Sequence, residues 1–188
     1  LIVRGHSVSF VGSCPVLLVE GEKIQVKTSQ IHIGNPPVTK WDAFSFVWRK
    51  RAMKKALEQM MNNMSSMPDI ICMVSLSEKI LLTPFALRKG IKVLWIEHDS
   101  VGRWLRGNPW LSTICKLSGS VTTVCVSELS AEMYRSMGYK NVQCIPNGVA
   151  PPTYRATPSS STSITLGCIA RLSPEKGVHV LVDAIKNM

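Results

Sequence analysis

The sequence predicts an α/β protein built on a parallel sheet. Near-continuous apolar runs of strand length recur along the chain, as in DIICMVSL, IKVLWIEHD and VTTVCVS, the texture of strands buried on both faces. Segments of helical periodicity, with capping and stop residues, lie between them. This alternation occurs at least three times, and that order implies parallel strands joined by right-handed crossovers, a Rossmann-like sheet.

Taken in order, residues 6 to 12 (HSVSFVG) alternate into a short strand, and 15 to 20 (PVLLVE) and 23 to 27 (KIQVK) are expected as further strands between Gly and charged turns. From Trp41 the period changes. Phe44, Val47, Trp48, Met53, Leu57, Met60, Met61 and Met64 recur at helical spacing, with Asp42 as the expected cap, and predict a long amphipathic helix ending near NNMSSMPD. Arg49, Lys50, Arg51, Lys54 and Lys55 are expected on its opposite face, either as a solvated surface or as a contact with phosphates or an anionic membrane.

DIICMVSL is then a buried strand, Glu78 to Lys89 a helix interrupted by Pro84, and IKVLWIEHD the next strand. A stretch from Gly102 to Ser118, rich in Trp, Arg, Gly and Pro, has no regular prediction. VTTVCVS is a strand, SELSAEMYRSMG a helix capped by Ser127 and stopped by Gly138, and NVQCIPNGV a strand and turn. Residues 150 to 163 (APPTYRATPSSSTS) have the composition of a linker. Strand (ITLGCIARL), loop (SPEKG) and helix (VHVLVDAIKNM) then restart the pattern. The organisation read from this is a domain over 1–149, a linker over 150–163, and the start of a second domain over 164–188.

Composition sets the class. With 188 residues, 45% of them hydrophobic and 18% charged, the balance is that of a globular protein with one ordinary domain and part of another. The six cysteines have no CxxC spacing and sit mostly in apolar runs, so they are expected as small core residues of a reduced cytosolic protein, without metal. No apolar run approaches the ~20 residues that span a bilayer. A net charge of +10 attracts polyanions, among them nucleic acid, anionic lipid and the diphosphate of an activated sugar.

The chemistry concentrates at predicted strand ends. In open α/β sheets ligands bind outside the carboxyl ends of the strands. ITLGCIARL delivers Arg171 to such an end, and Lys176 follows five residues later beside a helix N-terminus. These cations are either a receptor for a diphosphate or surface charges flanking a turn. His98, beside Glu97 and Asp99, ends IKVLWIEHD, and is either a ligand-facing group or a structural histidine at a loop entrance. Asp99, Arg103, Trp104 and Arg106 either line an acceptor site, where Trp stacks on sugar rings and Arg pairs with anions, or anchor a long loop. Asn147 and Gly148 form an Asn-Gly pair suited to the positive φ of a tight turn. His6 and His179 carry no assigned chemistry.

RLSPEKG followed by an apolar helix resembles the RLSPEKG segment of glycosyltransferase family 4 (group 1 glycosyltransferases), whose members have the GT-B fold of two Rossmann-like domains facing across a cleft. CIPNGV resembles the family's IPNGV turn, and VCVSELSAEMYRSMGY resembles the element just before it. The resemblance implies transfer of a sugar from a nucleotide-diphosphate donor to a carbohydrate, lipid-linked or other small acceptor, with retention, without a metal or other cofactor, and without nucleic acid. It implies a cytoplasmic location, with or without peripheral contact on the inner face of the membrane. By it Arg171 and Lys176 contact the donor diphosphate, where fixed cations stabilise charge developing on the leaving group. His98 lies near the transferred sugar, and Asn147, Gly148 and Ser127 lie at the hinge and cleft. The family's glycine-rich loop after the first strand and its paired-glutamate motif are expected outside Leu1 and Met188. On that expectation the chain is a fragment, with its first domain lacking the first strand, and is not active alone. The alternatives are a GT-B epimerase or phosphorylase relative, a basic nucleic-acid-binding module, and a non-catalytic interaction fragment.

Overall fold

The computed structural model describes residues 1–98, 103–151, 153 and 166–187. The chain forms two compact units, Leu1–Gly148 and Val149–Met188. The first holds two parallel sheets. One pairs β1 (Ser9–Gly12) with β2 (Lys27–Gln30) across the helix α1 (Pro15–Lys23). The other runs β3 (Ile70–Met73), β4 (Lys92–Glu97), β5 (Thr122–Cys125) and β6 (Val142–Cys144) in spatial order 3-4-5-6, every pairing parallel. Helices α3 (Leu76–Leu81) and α4 (Thr83–Arg88) connect β3 to β4, and α7 (Glu128–Ser136) connects β5 to β6. The expected α/β architecture with a Rossmann-like parallel sheet is the one observed.

In the first unit two predicted elements differ, and the stretch with no regular prediction is helical. PVLLVE is the body of α1 and not a strand: Pro15 occupies the first helical turn, where its missing N–H costs nothing, and Leu18 is buried. The following strand falls at Lys27–Gln30, later than KIQVK. Residues 102 to 118 contain α5 (Arg103–Arg106) and α6 (Leu111–Ser118). Asn108 organises the turn between them, donating from Nδ2 to the Pro37 carbonyl at 2.6 Å and accepting at Oδ1 from the Trp110 N–H at 2.9 Å.

The long helix α2 spans Lys40–Asn62. Its cap is Thr39 and not Asp42: the Thr39 hydroxyl accepts from the Asp42 N–H at 3.1 Å and donates to the Asp42 carboxylate at 2.6 Å. The buried stripe is Ala43, Phe46, Met53, Leu57 and Met61. Phe44, Val47 and Trp48, expected in the core, face outward. Phe46 takes the inward place and packs edge-on against Trp110, centroids 5.2 Å apart. The basic residues do not form one opposite face either. Arg49 turns back to the Asn35 carbonyl (3.2 Å) and the Ser45 hydroxyl (3.1 Å), and Lys50 lies over the Trp110 ring at 5.1 Å.

The core of the first unit lies between the four-stranded sheet and the helices packed on it. Trp95 on β4 is its centre, fully buried, donating from Nε1 to Thr83 Oγ1 at 3.1 Å and meeting Tyr139 edge-on. The cysteines divide. Cys125 is buried, Cys115 and Cys144 are half-buried, and Cys14, Cys72 and Cys168 are exposed, which corrects the reading of most of them as core. All six are free thiols. Among the described residues no helix is long and apolar enough to cross a membrane.

In the second unit, Leu166 to Leu172 form no strand, since no strand among the described residues pairs with them. Pro174–Lys176 make a 3-10 turn, and α8 (Val178–Lys186) begins after Gly177, whose φ of 64° is the left-handed conformation glycine adopts without strain. The predicted linker lies almost wholly outside the described residues.

Candidate functional site at the carboxyl edge of the sheet

Because all four strands are parallel, their carboxyl ends share one edge, and the segments leaving them meet there. After β3, Ser75 and Glu78 form a reciprocal capping box at the start of α3, with the Ser75 N–H donating to Glu78 Oε2 at 3.3 Å. Burial of Glu78 pushes its carboxyl pKa up, opposed by the backbone hydrogen bonds of the cap. After β5, Ser127 caps α7: its hydroxyl accepts from the Ser130 N–H at 3.2 Å and lies 3.0 Å from the Ser130 hydroxyl. After β6, the Ile145 N–H donates to the Cys125 carbonyl at 2.9 Å and extends the ladder one residue toward Pro146 and Asn147.

The end of β4 is built differently, around a buried charge. Lys79 on α3 is 2% exposed, and its Nζ lies 2.7 Å from Glu97 Oε1 and donates to the Ile96 carbonyl at 3.3 Å. Tyr134 on α7 donates from its hydroxyl to Glu97 Oε2 at 2.9 Å. Both carboxylate oxygens of Glu97 are therefore held, one from each neighbouring helix. Desolvation, then the Glu97 charge and hydrogen bond, drive the Tyr134 pKa far above the usual phenol range. Tyr139, stacked edge-on against Tyr134 at 4.8 Å, is raised by burial first and Glu97 second. Burial, with Glu97 second, pushes the Cys125 thiol up to about 11, so it is neutral at pH 7 and a poor nucleophile.

His98 follows Glu97 directly and is exposed. The strand end that presents it is clamped from two helices while the imidazole is open to solvent. The sequence places Glu97 beside His98, but it does not pair Glu97 with Lys79 and Tyr134. The one signal was that Lys79 directly precedes the apolar run Ile80, Leu81 and Leu82, which is expected to be buried.

The remaining predicted residues are dispersed. Asp99 lies outside the described residues. Arg103 and Trp104 open α5, with side chains outside the described set, and Arg106 at its end is exposed. Asn147 and Gly148 are exposed beyond β6, and neither takes the positive φ expected of a tight Asn-Gly turn. In the second unit Arg171 and Lys176 are both exposed, and their segments are tied by two backbone bonds through Ser173, to the Arg171 carbonyl at 2.9 Å and from the Lys176 N–H at 3.0 Å. Among the described residues no cluster of three His, Cys, Asp or Glu side chains is placed to hold a metal ion.

The model of Glycosyltransferase Family 4 matches residues 1–151. A parallel α/β sheet matched over most of its length to that family defines the class of the protein. The chain belongs to glycosyltransferase family 4, and its function is of the glycosyltransferase kind. No curated protein and no solved structure matches the chain.

Proposed function

We propose that the protein takes part in transfer of a sugar from a nucleotide-diphosphate donor to a carbohydrate, lipid-linked or other small acceptor, with retention and without a metal or other cofactor. The observation that carries this reading is the family match over residues 1–151. In it, residues 1–149 form the acceptor-side domain, residues 164–188 belong to the donor-binding domain, and 150–163 link them. His98 faces the transferred sugar from the clamped end of β4. Ser127, Asn147 and Gly148 border the cleft, and Asp99, Arg103, Trp104 and Arg106 serve the acceptor.

Arg171 and Lys176 receive the donor diphosphate. Support for this pair comes from the RLSPEKG resemblance and from their exposure on the short segment before α8, Lys176 within its 3-10 turn. A planar guanidinium and a point charge near a helix N-terminus suit a diphosphate, and cations fixed there stabilise the charge that develops on it as the sugar leaves. The reading places the protein in the cytoplasm, in peripheral contact with the anionic inner face of the membrane.

Calorimetric titration of UDP, GDP and ADP into the chain and into an Arg171→Ala, Lys176→Ala double variant tests the donor assignment, with circular dichroism confirming the fold of both. Saturable binding of one nucleotide, lost in the double variant, is the expected result. Equal binding by both proteins refutes the role of the pair, and no binding by the folded chain refutes a diphosphate site on it.

A further inference from the structure

The outward face of α2 carries the least expected side chains of the first unit. Trp41, Phe44 and Trp48 are 82%, 65% and 75% exposed. At 100° per residue they lie on one stripe, and Arg51 and Lys55 continue it over the next two turns. Both cations are exposed. The one acid on it is Glu58, three residues beyond Lys55. Asp42 is turned to the Thr39 cap, and Glu58 is already engaged by Lys54 (3.8 Å) and Arg88 (3.4 Å). The inner face of the same turns is already satisfied by Ala43 and Phe46 in the core. The aromatic stripe is thus surplus to folding, and leaving three large rings in water is unfavourable unless something covers them.

We propose that this face docks the protein on an anionic lipid surface. The three rings enter the headgroup boundary and Arg51 and Lys55 lie over lipid phosphates. The helix lies in the membrane plane and does not cross it. Tryptophan suits the bilayer interface because its ring is apolar and its N–H remains hydrated. The aromatic part of the stripe, Trp41 to Trp48, extends about 10 Å along the helix, and the two cations beyond it complement negative headgroups. A protein partner that buried three rings here would also have to bring counter-charge for two cations, since Glu58 is engaged by Lys54 and Arg88. A lipid surface supplies it. The inference rests on the peripheral contact in the reading above and not on sugar transfer. It reassigns that contact from the whole basic cluster to one face, since Arg49 and Lys50 are engaged elsewhere.

The test is binding of the whole chain to vesicles of phosphatidylcholine alone and of phosphatidylcholine mixed with phosphatidylglycerol, read by co-sedimentation and by tryptophan emission. The expected result is binding to the mixed vesicles only, weakened by salt, with a blue shift of emission. An Arg51→Glu, Lys55→Glu variant should bind at least about 25-fold more weakly, since each near-surface cation contributes a factor of about five. A Trp41→Ala, Phe44→Ala, Trp48→Ala variant should lose the blue shift and fall to the level of phosphatidylcholine alone. All three positions are exposed, so both variants should keep the parent's circular dichroism. Equal binding to both vesicle types, unchanged binding by the aromatic variant, or no binding overturns the proposal. So does a self-association, seen by light scattering, that the aromatic variant abolishes, because the face would then join copies of the chain. Nucleotide titration does not involve this surface, so failure here leaves the donor reading standing, and the converse holds.

Discussion

The two parallel sheets of the first unit share a topology and differ in everything that stabilises one. β1-α1-β2 and β3-to-β6 are both built from strand, helix and parallel strand. In the smaller unit Leu18 alone among the apolar residues of α1 is buried, while Val16, Leu17 and Val19 are exposed, and β2 (KTSQ) brings no apolar side chain. In the larger, β4 contributes Val93 and Trp95, β3 contributes Met73 and β5 contributes Cys125, all buried. Connectivity is therefore not what makes a parallel sheet secure. Burial of one continuous face under packed helices is, and it also permits a charged pair to be held at the strand end.

The strongest way to break this contrast is at the buried pair. Lys79→Met should destabilise the protein by about 3–5 kcal/mol, because it leaves the Glu97 carboxylate without its cation. Urea unfolding followed by circular dichroism reads it. Restoring neutrality with Lys79→Met, Glu97→Gln should recover a substantial part of the loss, which a purely steric defect would not.

A smaller effect should appear at alkaline pH. The folded state raises the pKa of Tyr134 above its ordinary value of 10.0. Its contribution to stability is therefore complete below about pH 10 and is lost as pH rises above that, since the unfolded chain ionises there and the folded one does not. The slope for one such proton is about 1.4 kcal/mol per pH unit. Tyr134→Phe removes it. The variant, compared with the parent in unfolding titrations from about pH 9 upward, should show the shallower decline.

The smallest effect should come from the poorly covered helix. Val16→Ser, at a position 69% exposed, should change stability by no more than about 0.5 kcal/mol in the same unfolding assay. A larger loss would mean that α1 is covered in solution and would erase the contrast with the larger sheet.

The sequence carried those features whose causes are local. Helix α7 begins at Ser127 and stops before Gly138, where φ reaches 97°, because a hydroxyl cap and a left-handed glycine act on their own few residues. Strands β3, β4 and β5 were legible because runs such as IKVLWIE are apolar at strand length, although the structure buries one face fully, with Val93 and Trp95 inside and Leu94 and Ile96 half-buried. His98 at a carboxyl end followed from the same reading.

What tertiary structure decided was everything that needed a choice of face or a distant partner. PVLLVE is apolar enough for strand or helix, and a run that short has no period to separate them. The first turns of α2 carry apolar residues all round, so only packing against Trp110 determined that Phe46 points in and Trp41, Phe44 and Trp48 point out. Tyr134 and Glu97 are 37 residues apart, and Lys79 meets the end of β4 across 17. No local rule links such positions. They meet because parallel strands bring the helices before and after β4 to one edge, and because a carboxylate withdrawn from water there needs partners from both.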